Sequence, residues 1–164
     1  MAQINASYAV AMAYALPGQV SDTSAYNIDG ACVFDDEAAA DILVGVAVQV
    51  KEVDPMGHKV MKSMADGGTP YGVAIRSHFQ TVSKSGQMVY EPGSGINVMT
   101  AGRVWMVTED ESAQTFGAPV KLTVEGKVKS DGAVVTGWTY TGQFTTWGDA
   151  PNAINLAEVQ LHQL

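Results

Sequence analysis

From about residue 41 onward the chain is a series of short Val-rich runs separated by Gly, Asp and Pro, the pattern of strands and tight turns rather than of helices. Runs at 42–50, 58–63, 71–77, 87–90, 96–99, 103–108, 119–123, 127–130 and 134–136 predict nine short strands. A last strand is predicted within 156–164, where Val159 and Leu161 alternate with Gln160 and His162. Turn residues fall between the runs at Asp66-Gly67-Gly68, Ser85-Gly86, Pro92-Gly93 and Ala101-Gly102. Glu125-Gly126 and Asp131-Gly132 read as hairpin turns in which glycine supplies the positive φ. Within 103–107, alternation sets Val104 and Met106 against Arg103, Trp105 and Val107, so both faces are largely apolar, as in a strand covered on two sides. Short strands at this spacing predict an all-β sandwich or barrel over residues 42–164.

Residues 1–41 follow a different pattern. They show no sustained period of two or 3.6 and contain Asp22, Asp29, Asp35, Asp36, Glu37 and Asp41 but no base. The run 9–16 gains helix propensity from its alanines, yet Pro17-Gly18 stops it after about two turns, and so short a helix is marginal in water. The segment reads as an extended N-terminal arm, with residues 1–30 ordered only when laid on something and Tyr8, Tyr14, Leu16, Tyr26 and Ile28 as its apolar anchors.

A second irregular stretch, 137–155, reads as a long loop in which Trp138, Tyr140, Phe144 and Trp147 lie among threonines and glycines. These aromatics have three readings: packing in the core, a stacking platform for sugar rings, or anchors of a protein contact. No internal repeat or low-complexity tract interrupts the chain.

A length of 164 residues suits one core, and 46% hydrophobic residues supply the material for it. Nine Lys+Arg against 17 Asp+Glu leave a net charge of −8, which excludes a nucleic-acid binder that works by neutralising phosphates. The longest apolar runs, 9–16 and 42–48, fall short of the ~20 residues of a membrane helix, and no membrane partner is expected. Residues 1–8 hold no positive charge, which reads against a secretory leader. Cys32 is the single cysteine and reads as a small buried hydrophobe.

Candidate chemistry is sparse. The chain has no nucleophile elbow, phosphate loop, dinucleotide fingerprint or zinc-protease motif. His58, His78 and His162 are far apart and stand at no metal spacing. The clusters Asp35-Asp36-Glu37 and Glu109-Asp110-Glu111 lack the spaced ligands of a calcium loop and read as solvated acidic turns. A site assembled from His78, Asp110 and Ser94 has no support in the spacing. The expectation is a non-enzymatic binding or assembly protein without cofactor or metal, with a carbohydrate-binding β-sandwich built on Trp138, Tyr140 and Trp147 as the alternative.

An ordered series of motifs points further. It comprises Ile42-Leu43-Val44-Gly45-Val46-Ala47-Val48, then Tyr71-Gly72-Val73-Ala74-Ile75-Arg76-Ser77, then Tyr90. It continues with Ile96-Asn97-Val98-Met99-Thr100-Ala101-Gly102-Arg103-Val104-Trp105-Met106-Val107, Gly117-Ala118-Pro119-Val120, Glu125-Gly126 and Ala157-Glu158-Val159-Gln160-Leu161. In order and spacing this series resembles the structural cement proteins that decorate the capsids of tailed bacteriophages. The resemblance covers 42–164; the long acidic arm and the aromatic 137–151 stretch depart from it.

The resemblance implies a jelly-roll-like β-barrel or sandwich on the outer face of the virion, made in the host cytoplasm. Its partner would be the major capsid protein, whose neighbouring capsomers it would clamp against the pressure of packaged DNA. It further implies a homodimer or homotrimer. The arm and the aromatic stretch (Tyr8, Tyr14, Leu16, Tyr26, Ile28, Trp138, Tyr140, Phe144 and Trp147) would then supply the capsid or subunit contacts.

Overall fold

The computed structural model describes residues 14–148 and 153–162. Twelve strands follow one another: β1 (Asn27–Phe34), β2 (Ile42–Leu43), β3 (Ala47–Val53), β4 (Lys59–Ser63), β5 (Gly72–Ala74) and β6 (Thr81–Val82), then β7 (Met88–Tyr90), β8 (Gly95–Ala101), β9 (Arg103–Val107), β10 (Pro119–Leu122), β11 (Val134–Trp147) and β12 (Ile154–Gln160). No helix occurs among the described residues, and the fold is all-β.

Five strands close a barrel in the order β1-β4-β3-β5-β8, and β10-β11-β12-β9 form a sheet packed on its wall. A small sheet, β2-β7-β6, completes the molecule. Period-two alternation divides the core in two. Cys32, Phe34, Val48, Met61, Ala74, Ile96 and Val98 face the barrel interior, and each fully buried Phe, Ile or Met there contributes about 1.5–3 kcal/mol. Their neighbours Ala47, Val73 and Met99 point outward and pack against Val104, Met106, Val120, Leu122, Trp138, Tyr140, Ala157 and Val159 of the sheet.

Several elements differ from the sequence reading. Asn27–Phe34, placed in the arm, is a barrel strand whose parallel pairing with β4 closes the cylinder. The 137–155 stretch is mostly strand, since β11 runs fourteen residues to Trp147. A bulge between Tyr140 and Phe144, with Gly142 at φ 82°, breaks its alternation and so disguises it. Residues 127–130 form no strand, and Val128 makes isolated bridges to Thr108 and Leu122. Residues 14–16 are not helical, in keeping with the extended arm expected there, and the chain that follows is drawn onto the sheet by contacts distant in sequence.

That contact is a strap. Gly18 N donates to Trp105 O (2.8 Å), Trp105 N to Gln19 O (3.0 Å) and Ser21 N to Arg103 O (2.9 Å), which adds residues 18–21 beside β9 as a short outer strand. Ser21 Oγ and Thr141 Oγ1 both donate to the buried Glu158 carboxylate, and Asp22 pairs with Arg103 at 3.2 Å. A buried carboxylate without hydroxyl partners would cost several kcal/mol, so these bonds set the strap's register.

Candidate contact surface

The strap brings Tyr14 to the surface at a defined place. Its ring meets Trp105 edge-on, centroids 5.5 Å apart, and its hydroxyl donates to Gln143 Oε1 at 3.0 Å. Gln143 follows Gly142 in the β11 bulge, and a Cβ built on Gly142 would lie 3.7 Å from Phe116. Tyr14 (64% exposed) and Phe116 (76%) therefore flank the bulge on either side. Phe116 was not among the sequence candidates; an aromatic in the Thr-Phe-Gly-Ala turn 115–118, where apolar burial is not expected, is the signal that could have found it.

The other predicted anchors separate by depth. Trp138 (1% exposed) and Tyr140 (3%) are core residues, so a sugar platform loses two of its three rings. Trp138 Nε1 donates to His162 Nε2 (3.2 Å) and Tyr140 Oη to Asp110 Oδ2 (2.9 Å); burial, then that carboxylate, pushes the Tyr140 hydroxyl's pKa far up. Leu16 is half-buried, with its amide donating to Gln19 Oε1, and Ile28 packs on the core opposite Met99. Tyr26 is half exposed against Gly102. Phe144 and Trp147 are half-buried, and Trp147 pairs across the hairpin with Ile154. Tyr8 lies outside the described residues.

Trp147, Pro17, Leu43, Val44, Val107 and Ile154, with Arg76, Glu109 and Lys127, wall a mixed cleft of about 260 Å³ where strap, small sheet and large sheet meet. Further apolar side chains stand out at the β3–β4 turn (Val53, Met56) and at 79–82 (Phe79, Val82).

Five of the nine lysines and arginines pair with carboxylates. Asp29 on β1 accepts from Lys59 Nζ on β4 (2.7 Å) and from Tyr71 Oη (2.7 Å). Burial pushes the Asp29 carboxyl up, but these two bonds and the Ala31 amide outweigh it and hold the pKa below the ordinary value. Burial, then the Asp29 bond, lifts the Tyr71 hydroxyl to about 12, and burial likewise lifts the Cys32 thiol to about 12. The acidic turns correct the reading in part: Asp35 and Asp110 are buried, the first paired with Lys51 (3.0 Å), the second accepting from Ser130 and Tyr140. Glu109 is held by Lys127 and Lys129.

Residues offered for chemistry stay apart. Asp110 is engaged as above, Ser94 Oγ donates to Glu91 O, and His78 is exposed. No group of three or more His, Cys, Asp or Glu that could hold a metal ion occurs among the described residues.

An all-β domain with a latched N-terminal strap and exposed aromatics beside a sheet edge is built as a binding or assembly module. The family model described as structural cement protein (E217 gp24/Pam3 gp6) matches residues 4–162, and the chain belongs to this phage family. No curated protein matches the chain in sequence. A chain of a solved structure described as the capsid of Myoviridae Phage XM1 shares the fold: TM-score 0.57 and 19% identity over 96% of this chain and 97% of that chain.

Proposed function

We propose that this protein binds the major capsid protein on the outer surface of a tailed-phage shell and clamps neighbouring capsomers against the pressure of packaged DNA. Family membership supports the class. The observation that carries the surface is the pair Tyr14 and Phe116, two exposed rings flanking the β11 bulge on a domain whose cations are largely used in internal pairs. Aromatic anchors of this kind dominate contact energies where partner surfaces exclude water from them.

In this reading Tyr14, Tyr26, Phe144 and Trp147 meet the capsid or a neighbouring subunit, together with Tyr8 of the preceding segment. Leu16, Ile28, Trp138 and Tyr140 hold that surface from behind. Copies act as a dimer or trimer, so weak single contacts add through avidity. The protein is made in the host cytoplasm, joins the virion, and acts mechanically.

The test is co-sedimentation with expanded empty capsids of the same phage, with shell melting measured alongside. Binding at micromolar concentration and a raised shell melting temperature are expected. Tyr14→Ser and Phe116→Asp each weaken binding at least tenfold while the isolated protein stays folded. No binding at micromolar concentration overturns the reading.

A further inference from the structure

A second hollow has no strap residue in its lining. Ile42 and Leu43 of β2, Val46 ahead of β3, Met64 after β4 and Val124 after β10 give an open groove of about 500 Å³ an apolar floor. Val124, 37% exposed, is its most accessible apolar side chain.

The walls are fixed in shape. Gly126 O accepts from Ala47 N (2.8 Å), which pins the 123–127 turn to the first residue of β3. Within that turn Thr123 N donates to Lys127 O (2.8 Å), Gly126 N to Thr123 O (3.0 Å) and Glu125 N to Thr123 Oγ1 (3.2 Å). At the other wall Gly68 N donates to Ala65 O (2.9 Å), and Gln49, which donates to Ser63 O (3.0 Å), leaves no room for a side chain at Gly68. A groove already shaped costs its ligand little ordering.

Charge decides what fits. Asp41, Asp66 and Glu125 line the groove as exposed residues and make no ion pair with any described residue. Lys127, which also lines it, is drawn to Glu109 at 3.3 Å. An apolar floor below three free carboxylates complements a partner that brings an apolar side chain for the floor and cationic groups for the rim. A neutral apolar ligand would strip water from those carboxylates and give them no partner.

We propose that this groove takes a polypeptide segment in which lysine or arginine flanks apolar side chains, and that the segment belongs to the major capsid protein. The inference rests on the capsid reading for the partner's identity and adds a contact separate from Tyr14 and Phe116. Because the rim charges are exposed, the attraction weakens as salt screens them.

The probe is a synthetic peptide alternating lysine and leucine, titrated into the full chain at low salt while backbone amide signals are followed by NMR. A peptide of the same length alternating glutamate and leucine is the control. Saturable shifts are expected at Val46, Met64 and Val124, with binding at least tenfold tighter than the control and lost at high salt. Asp66→Lys combined with Glu125→Lys, which keeps the amide spectrum of a folded protein, should weaken peptide binding and co-sedimentation with expanded capsids at least tenfold each. A control peptide that binds as tightly, or a lysine peptide that leaves the groove amides unmoved, overturns the groove. Unchanged sedimentation of the charge-reversed protein overturns the capsid contact here while capsid binding itself stands. Peptide binding at the groove without any capsid binding upholds the groove's chemistry and overturns the capsid reading.

Discussion

Gly18 and Gly45 cross backbone to backbone, so closely that a Cβ added at Gly45 would stand 2.8 Å from Gly18 N, and one added at Gly18 would run into the Val44 side chain. Both have positive φ, 67° and 89°. The crossing ties three parts of the molecule at one point. Arg76 N of the barrel side donates to Gly18 O (3.0 Å), Gly45 N donates to Ala74 O (2.8 Å), and Val107 N of the sheet donates to Gly45 O (2.9 Å).

A side chain at this crossing strains the backbone and displaces the strap together. Gly45→Ala is expected to cost about 2–4 kcal/mol in chemical denaturation, from the φ penalty plus overpacking. Gly57→Ala is the control: its φ is also 89° but nothing lies within 4 Å, and the φ penalty alone, about 1 kcal/mol, should remain. Equal costs at both positions would mean that the close approach does not matter.

Removing residues 2–13 leaves every described bond of the strap in place, from Tyr14 onward. Removing 2–28 strips the strap from β9, uncovers Trp105, leaves Glu158 without Ser21 and takes the first two residues of β1. That truncation should lower the midpoint steeply or prevent folding. A fully stable 29–164 fragment would show that the strap is an accessory rather than part of the core.

Trp105 is buried under the strap in the same cluster as the barrel-interior residues Phe34 and Met61, with Tyr14 edge-on to its ring. Trp105→Ala should cost about 3–5 kcal/mol by urea unfolding. Tyr14→Ser, at an exposed ring, should cost far less, so the two variants separate the strap's stability role from its surface.

The Asp29–Lys59–Tyr71 group makes stability depend on pH in the acid range. The Asp29 pKa is held below its ordinary 3.8 in the folded protein, so the unfolded chain binds the proton more readily. Its contribution is therefore complete above the unfolded value, about pH 4, and is lost as pH falls through the folded one. Thermal midpoints measured from pH 6 to pH 2.5 should fall below about pH 4. Asp29→Asn should lower the midpoint at pH 6 and flatten that fall; an unchanged slope would assign the acid sensitivity to other carboxylates.

The all-β class was legible because period-two alternation and glycine turns are local signals, and they located most of the barrel and sheet strands, from Ile42–Leu43 through Ile154–Gln160. β1 was not legible. Its central Asp29-Gly30-Ala31 interrupts the pattern, and its partners, Ile96 and Lys59, are far along the chain. Trp138 and Tyr140 were recognisable as important aromatics, but their burial depends on β10 and β12 covering them.

Composition, charge and alternation alone determine that this chain folds as an acidic β domain with an uncharged N-terminal segment, because burial of alternate residues needs no knowledge of which strand lies beside which. The strap on β9, the Gly18–Gly45 crossing and the placing of Tyr14 and Phe116 about the β11 bulge are decided in three dimensions. Each is made by residues between about 26 and 129 positions apart, joined by main-chain bonds and close approach that no local pattern encodes.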